Sequence, residues 1–141
     1  MANTLNRILL VDDDTVTNLM HKRQIARFEL AKDVDVATDG LAALDYLTTR
    51  EETGASQPEL VLLDINMPRM NGFEFLAAYA ALPENLHESQ SIVMVSTSTL
   101  RQDRQRAESE AFVKSYEIKP LSKEDFCRIV QAHQPTSGAD S

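Results

Sequence analysis

Three short, unbroken apolar runs, each stopped by polar residues, constrain this chain more than any other feature. Ile8-Leu9-Leu10-Val11 ends in Asp12-Asp13-Asp14, Leu60-Val61-Leu62-Leu63 ends in Asp64, and Ile92-Val93-Met94-Val95 ends in Ser96. Runs of this kind read as strands buried on both faces, as in a parallel sheet covered by helices. Two weaker strands are expected at Val34–Thr38 and Val113–Ile118.

Helical patterns fill the intervals. After Asp14, the residues Val16, Met20, Ile25 and Phe28 form an apolar stripe, interrupted because Gln24 stands where an apolar residue is expected. Leu41–Leu47 follows Asp39-Gly40, and Phe73–Ala81 follows Asn71-Gly72. Leu100–Phe112 is a polar helix whose Arg101, Asp103, Arg104, Arg106, Glu108 and Glu110 read as a solvated face. The last helix, Ser122–Ala132, opens with Ser122 three residues before Asp125, a variant of the capping box, and turns Phe126, Ile129 and Val130 to one side. Arg50–Pro58 and Pro83–Ser91 read as polar loops, and Gln134–Ser141 as a disordered tail after one domain over residues 1–133. Strand and helix alternating five times predict one doubly wound α/β sheet, with right-handed crossovers placing helices on both faces.

A length of 141 residues suits one core and not two. No run approaches the roughly 18–20 apolar residues of a membrane span, and the amino terminus lacks a signal-peptide core, so a cytoplasmic, membrane-free protein is expected. Cys127 has no partner for a disulfide and is expected to be a buried structural thiol. Fourteen Lys and Arg against 22 Asp and Glu leave a net charge of −8, which argues against direct nucleic-acid binding. His21, His87 and His133 show no spacing that suggests a metal site.

In doubly wound folds, ligands bind at the carboxyl ends of the strands. Here those ends carry Asp12, Asp13 and Asp14, then Asp64, Ser96 and Lys119. Two carboxylates about 4 Å apart repel by roughly 4 kcal/mol at an effective dielectric near 20. Clustered acids must therefore protonate, separate or hold a cation. A hard divalent ion such as Mg²⁺ fits, since it uses one or two carboxylates together with waters and a phosphate. Lys119 adds positive charge and the Ser96 hydroxyl adds a donor. The set suits phosphoryl transfer, in which positioning and charge neutralisation dominate and a carboxylate can be the nucleophile.

The segments Ile8-Leu9-Leu10-Val11-Asp12-Asp13-Asp14, Leu62-Leu63-Asp64-Ile65-Asn66-Met67-Pro68-Arg69-Met70-Asn71-Gly72 and Ile118-Lys119-Pro120-Leu121 resemble the signatures of response regulator receiver domains. The resemblance covers about residues 5–133 and implies a five-stranded (βα)5 sheet of order 2-1-3-4-5. It implies that Asp64 accepts a phosphoryl group from a histidine kinase or a histidine phosphotransfer protein. Asp12, Asp13, Asp64 and the carbonyl of Asn66 would hold Mg²⁺, for which Mn²⁺ could substitute. Lys119 would pair with phosphoryl oxygens, Ser96 and Tyr116 would form the switch, and Asn66 and Ser98 would tune dephosphorylation. The Lys119–Pro120 bond would be cis. Apart from catalysing its own phosphorylation and slow dephosphorylation, such a chain is not an enzyme. Its output would pass to another protein, or through a homodimer, on the face formed by Leu100–Phe112, Val113–Ile118 and the last helix.

Other readings stay open at this point. Asp12–Asp14 could cap a helix, Asp64 and Lys119 could be ordinary turn residues, Ser96 could cap a helix, and Tyr116 could be a packed aromatic. Asp12-Asp13-Asp14-Thr15-Val16 also fits the nucleophile motif of haloacid-dehalogenase-type phosphatases, with Asp12 attacking. A receiver-like binding module without phosphorylation is the third possibility.

Overall fold

The computed structural model describes residues 4–133, so the predicted disordered tail lies outside the described residues. The elements alternate as β1 (Leu5–Val11), α1 (Thr15–Arg27), β2 (Ala31–Ala37), α2 (Gly40–Thr53), β3 (Leu60–Asp64), α3 (Gly72–Tyr79), α4 (Glu84–Ser89), β4 (Ser91–Ser96), α5 (Arg101–Glu108), β5 (Val113–Ile118) and α6 (Lys123–His133). The five strands form one parallel sheet in the order β2-β1-β3-β4-β5.

Alternation along the central strands divides the core in two. Leu9, Val11, Val61, Leu63, Ile92 and Met94 face one side, with Leu47, Phe75, Leu76, Ala107 and Tyr116. Ile8, Leu10, Leu60, Leu62, Val93 and Val95 face the other, with Ile25 of α1 and Phe126, Ile129 and Val130 of α6. This two-sided burial is why β1, β3 and β4 are continuous apolar runs. It also explains the helix phases, since right-handed crossovers put α1 and α6 together on one face.

Several expectations are corrected. The polar stretch Pro83–Ser91 contains α4, anchored by buried Leu86 and by His87, whose ring lies 4.7 Å from Tyr79 and 4.4 Å from Phe112. The loop Arg50–Pro58 begins later, because α2 runs on to Thr53 and ends at left-handed Gly54, φ 76°. The helix in Leu100–Phe112 is confined to Arg101–Glu108. Its arginines are not merely solvated: the Arg104 guanidinium lies 5.0 Å from the Tyr116 ring and that of Arg106 lies 3.9 Å from Phe73. Along α1 the buried face is Asn18, His21 and Ile25, whereas Val16 and Met20 are 62% and 45% exposed. Asp14 is the N-cap of that helix. Cys127 is half-buried rather than buried.

Candidate functional site

Each strand end delivers one part of a polar pocket at the carboxyl edge of the sheet. Asp12 directly follows β1, and its amide donates to Ala37 of β2 at 3.0 Å. The Asp12 side chain, 6% exposed, accepts from the Asp14 amide at 2.9 Å through Oδ1 and from Lys119 Nζ at 2.7 Å through Oδ2. Asp14 is turned away as the cap of α1, accepting from the Val16 amide and from the Thr17 hydroxyl at 2.6 Å. That separates the three aspartates by role: Asp12 and Asp13 face Asp64, and Asp14 serves the helix.

Asp64 ends β3 and is 7% exposed. The backbone beyond it is pressed against the start of α3. The Gly72 amide donates to the Ile65 carbonyl at 2.8 Å, and any side chain on Gly72 would run into the Asp64 carbonyl. Asn71 and Glu74 close a reciprocal capping box there. These contacts hold the loop that carries Asn66, which is exposed beside the pocket. The opposite wall comes from β5. The Lys119 amide donates to the Ser96 carbonyl at 2.9 Å, the Lys119–Pro120 bond is cis, and Lys119 Nζ reaches Asp64 Oδ1 at 3.2 Å as well as Asp12.

Carboxylate oxygens of Asp12, Asp13 and Asp64 can all lie within 4.8 Å of one another. Three hard oxygen donors at this spacing fit a divalent ion of the Mg²⁺ kind. Burial, reinforced by the negative charge of Asp12, pushes the Asp64 carboxyl up to about 6 when no metal is bound. Burial works against the Lys119 ammonium, but hydrogen bonding to Asp12 and the charges of Asp64 and Asp12 outweigh it and raise its pKa. Lys119 therefore stays charged between the two acids.

The remaining predicted residues lie along β4 and β5. Ser96 is 1% exposed, and its Oγ accepts from the Ser98 amide at 3.0 Å. The Ser98 hydroxyl donates to Asp103 at 2.5 Å and accepts from the Leu100 amide at 3.2 Å, so it ties the turn before α5 to the first turn of that helix. Tyr116 is already turned inward, 4% exposed, and its hydroxyl donates to the Ser98 carbonyl at 2.8 Å.

Residues 8–131 match the family model described as "Response regulator receiver domain". The chain belongs to the response regulator receiver family. It is 40% identical over 124 residues to the probable methanogenesis regulatory protein FilR2 of Methanothrix harundinacea, covering 88% of this chain and 78% of that protein. It is 31% identical to a protein-glutamate methylesterase/protein-glutamine glutaminase of Burkholderia thailandensis, but spans only 33% of that enzyme's length. Among solved structures, a two-component response regulator from Cytophaga hutchinsonii superposes with a TM-score of 0.85 at 25% identity, covering 92% of this chain and 97% of that one. The bacteriophytochrome response regulator AtBRR gives a TM-score of 0.75 at 30% identity, covering 90% and 91%. A receiver domain is a phosphorylatable signalling unit of two-component systems, and its acidic cluster here is compatible with metal binding. No helix among the described residues is long and apolar enough to cross a membrane.

Sequence patterns missed two groups of residues around this receiver pocket. Arg69, inside the Asp64 motif, reaches buried Asp39 at 2.7 Å through Nε and 2.6 Å through a terminal nitrogen. Its backbone is left-handed, φ 64°, in the loop that bears Asn66. Asn18 and Gln24 of α1 also bond to carbonyls of the pocket loops. Only Gln24 left a trace in the sequence, as a break in an apolar stripe.

Proposed function

We propose that this receiver accepts a phosphoryl group on Asp64 from a phosphohistidine of a sensor histidine kinase or histidine phosphotransfer protein. It then signals, in the cytoplasm, through phosphorylation-dependent contact with another protein or a second copy of itself. The observation that carries this reading is the meeting of Asp12, Asp13, Asp64 and Lys119, with Lys119 Nζ 2.7 Å from Asp12 and 3.2 Å from Asp64. A nucleophilic carboxylate is thereby flanked by a fixed cation and by acids suited to a second, exchangeable one.

In the proposed reaction an oxygen of Asp64 forms a bond to phosphorus as the phosphorus–nitrogen bond to the donor imidazole breaks. Asp12, Asp13, Asp64 and the Asn66 carbonyl would hold Mg²⁺, or Mn²⁺ in its place, which when bound neutralises charge on the transferring group. Lys119 pairs with the phosphoryl oxygens that arrive where Asp64 now meets it. Ser96 donates its hydroxyl to one of those oxygens, giving up its present contact with the Ser98 amide. Asn66 and Ser98 border the acyl phosphate and set how readily water reaches it. No chemistry on another substrate is assigned to the chain.

Incubation with acetyl phosphate and Mg²⁺ should add one phosphoryl group, read by intact mass, and Asp64→Asn should abolish it. Equal labelling of the Asp64→Asn protein would overturn the assignment.

A further inference from the structure

Helix α1 carries a row of buried polar residues on its inner face, where an apolar stripe would serve the core. Asn18 and His21 are 5% and 4% exposed, and Gln24 is half-buried one turn further on. His21 meets Phe126 of α6 edge-on, ring centroids 5.6 Å apart. The two amides do something else. Asn18 Nδ2 donates to the Asp12 carbonyl at 2.9 Å, while Gln24 Nε2 donates to the Leu121 carbonyl at 2.8 Å, across 97 residues of sequence.

Leu121 lies two residues beyond Lys119, in the turn that carries this lysine, and its own side chain is 2% exposed in the core. The turn is thus tied on one side by the Lys119 amide to Ser96 and on the other by Gln24 to α1. A closed circuit results. It runs from the Asp12 carbonyl through Asn18 and α1 to Gln24, then through Leu121 to Lys119, whose ammonium returns to the Asp12 carboxylate at 2.7 Å.

We propose that Gln24 is a positioning residue of the phosphoryl pocket, holding the Lys119 turn where its ammonium bridges Asp12 and Asp64. The proposal rests on the reading of Asp64 as phosphoryl acceptor. Stability is nearly balanced at this position. Gln24 Nε2 satisfies the Leu121 carbonyl, but its Oε1 is buried without a hydrogen-bond partner, a cost that an apolar side chain of equal length avoids. Loss of the glutamine should therefore slow the reaction far more than it changes the stability of the fold.

The test compares Gln24→Met, which keeps length and loses the donor, with Gln24→Lys, which restores a donor. Phosphorylation by acetyl phosphate with saturating Mg²⁺ and thermal melting are both measured. Misplacing a charged group by about 1 Å can slow a reaction by up to roughly a hundredfold, so a loss of about tenfold is expected for Gln24→Met. Its melting temperature should change little, and Gln24→Lys should recover most of the rate. A wild-type rate in Gln24→Met, equal slowing in both variants, or slowing accompanied by a lowered melting temperature each overturns the proposal. Absence of phosphorylation in the unsubstituted protein sinks the Asp64 reading and this proposal with it.

Discussion

Asp64 carries a conflict: burial and the charge of Asp12 disfavour its ionised form, yet the proposed function requires it to be ionised. Its pKa moves from 3.8 to about 6 in the metal-free fold. The folded state therefore holds a proton that the unfolded state releases, and that contribution is full at low pH and lost as pH rises from about 4 through about 6. At pH 7 the metal-free protein bears the cost. Asp64→Asn should raise its stability there by about 1–2 kcal/mol, the shift discounted for solvent screening at the pocket mouth. It should also flatten the difference between pH 4 and pH 7, read by urea denaturation at both. Arg69 allows a second comparison. Both Arg69→Ala and Arg69→Gly lose the ion pair to Asp39, but only alanine retains the penalty of the left-handed backbone at φ 64°. The glycine variant should be the more stable of the two by about 1 kcal/mol in equilibrium unfolding.

Among the elements, α5 and β5 form the part that should report phosphorylation. Tyr116 of β5 donates to the Ser98 carbonyl under the cover of Arg104 from α5, and Ser96 lies at the end of the neighbouring strand. A phosphoryl group that draws the Ser96 hydroxyl toward it releases the Ser98 amide, and with it the turn to which both Tyr116 and the start of α5 are fastened. Addition of beryllofluoride, a phosphoryl mimic, should therefore shift NMR resonances of Ser98, Tyr116 and α5. Ser96→Ala should uncouple those shifts from changes in the pocket; shifts confined to the acidic residues would sink the switch. The strands of this machinery were legible in the sequence because burial on both faces leaves an unmistakable apolar run. Helix α4 was not, since only Leu86 is buried in a stretch otherwise polar, and its packing depends on Tyr79 and Phe112 from elsewhere in the chain. The phase of α1 also misled, because Asn18 and His21 take core positions that hydrophobicity assigns to Val16 and Met20. The strand-end residues of the pocket could be anticipated because the topology alone gathers strand ends. The side-chain ties behind them could not, since Gln24 to Leu121 and Arg69 to Asp39 depend on contacts across the fold.

For the molecule as a whole, one edge of the sheet gathers the acidic residues Asp12, Asp13 and Asp64. A cation that binds only the folded state stabilises it by mass action, about 1.4 kcal/mol at tenfold over its dissociation constant. Mg²⁺ should thus raise the melting temperature, and Asp13→Ala should remove most of that rise while making the metal-free protein somewhat more stable. Unchanged Mg²⁺ dependence in this variant would count against the site. The opposite edge is arranged differently. Helix α4 lies at the amino end of β4; its C-cap Gln90 accepts from the Tyr79 hydroxyl and donates to the Pro58 carbonyl before β3, and its His87 packs on Phe112 before β5. Six residues of β4, about 20 Å of strand, separate it from Ser96 and the acids. A fluorophore or a surface tether attached at exposed Glu84 would ride on this far rim, leaving the carboxyl edge open to an incoming kinase. Helix α4 is thus a mounting point: a place where the protein can be held, labelled or lengthened without a hand on its chemistry.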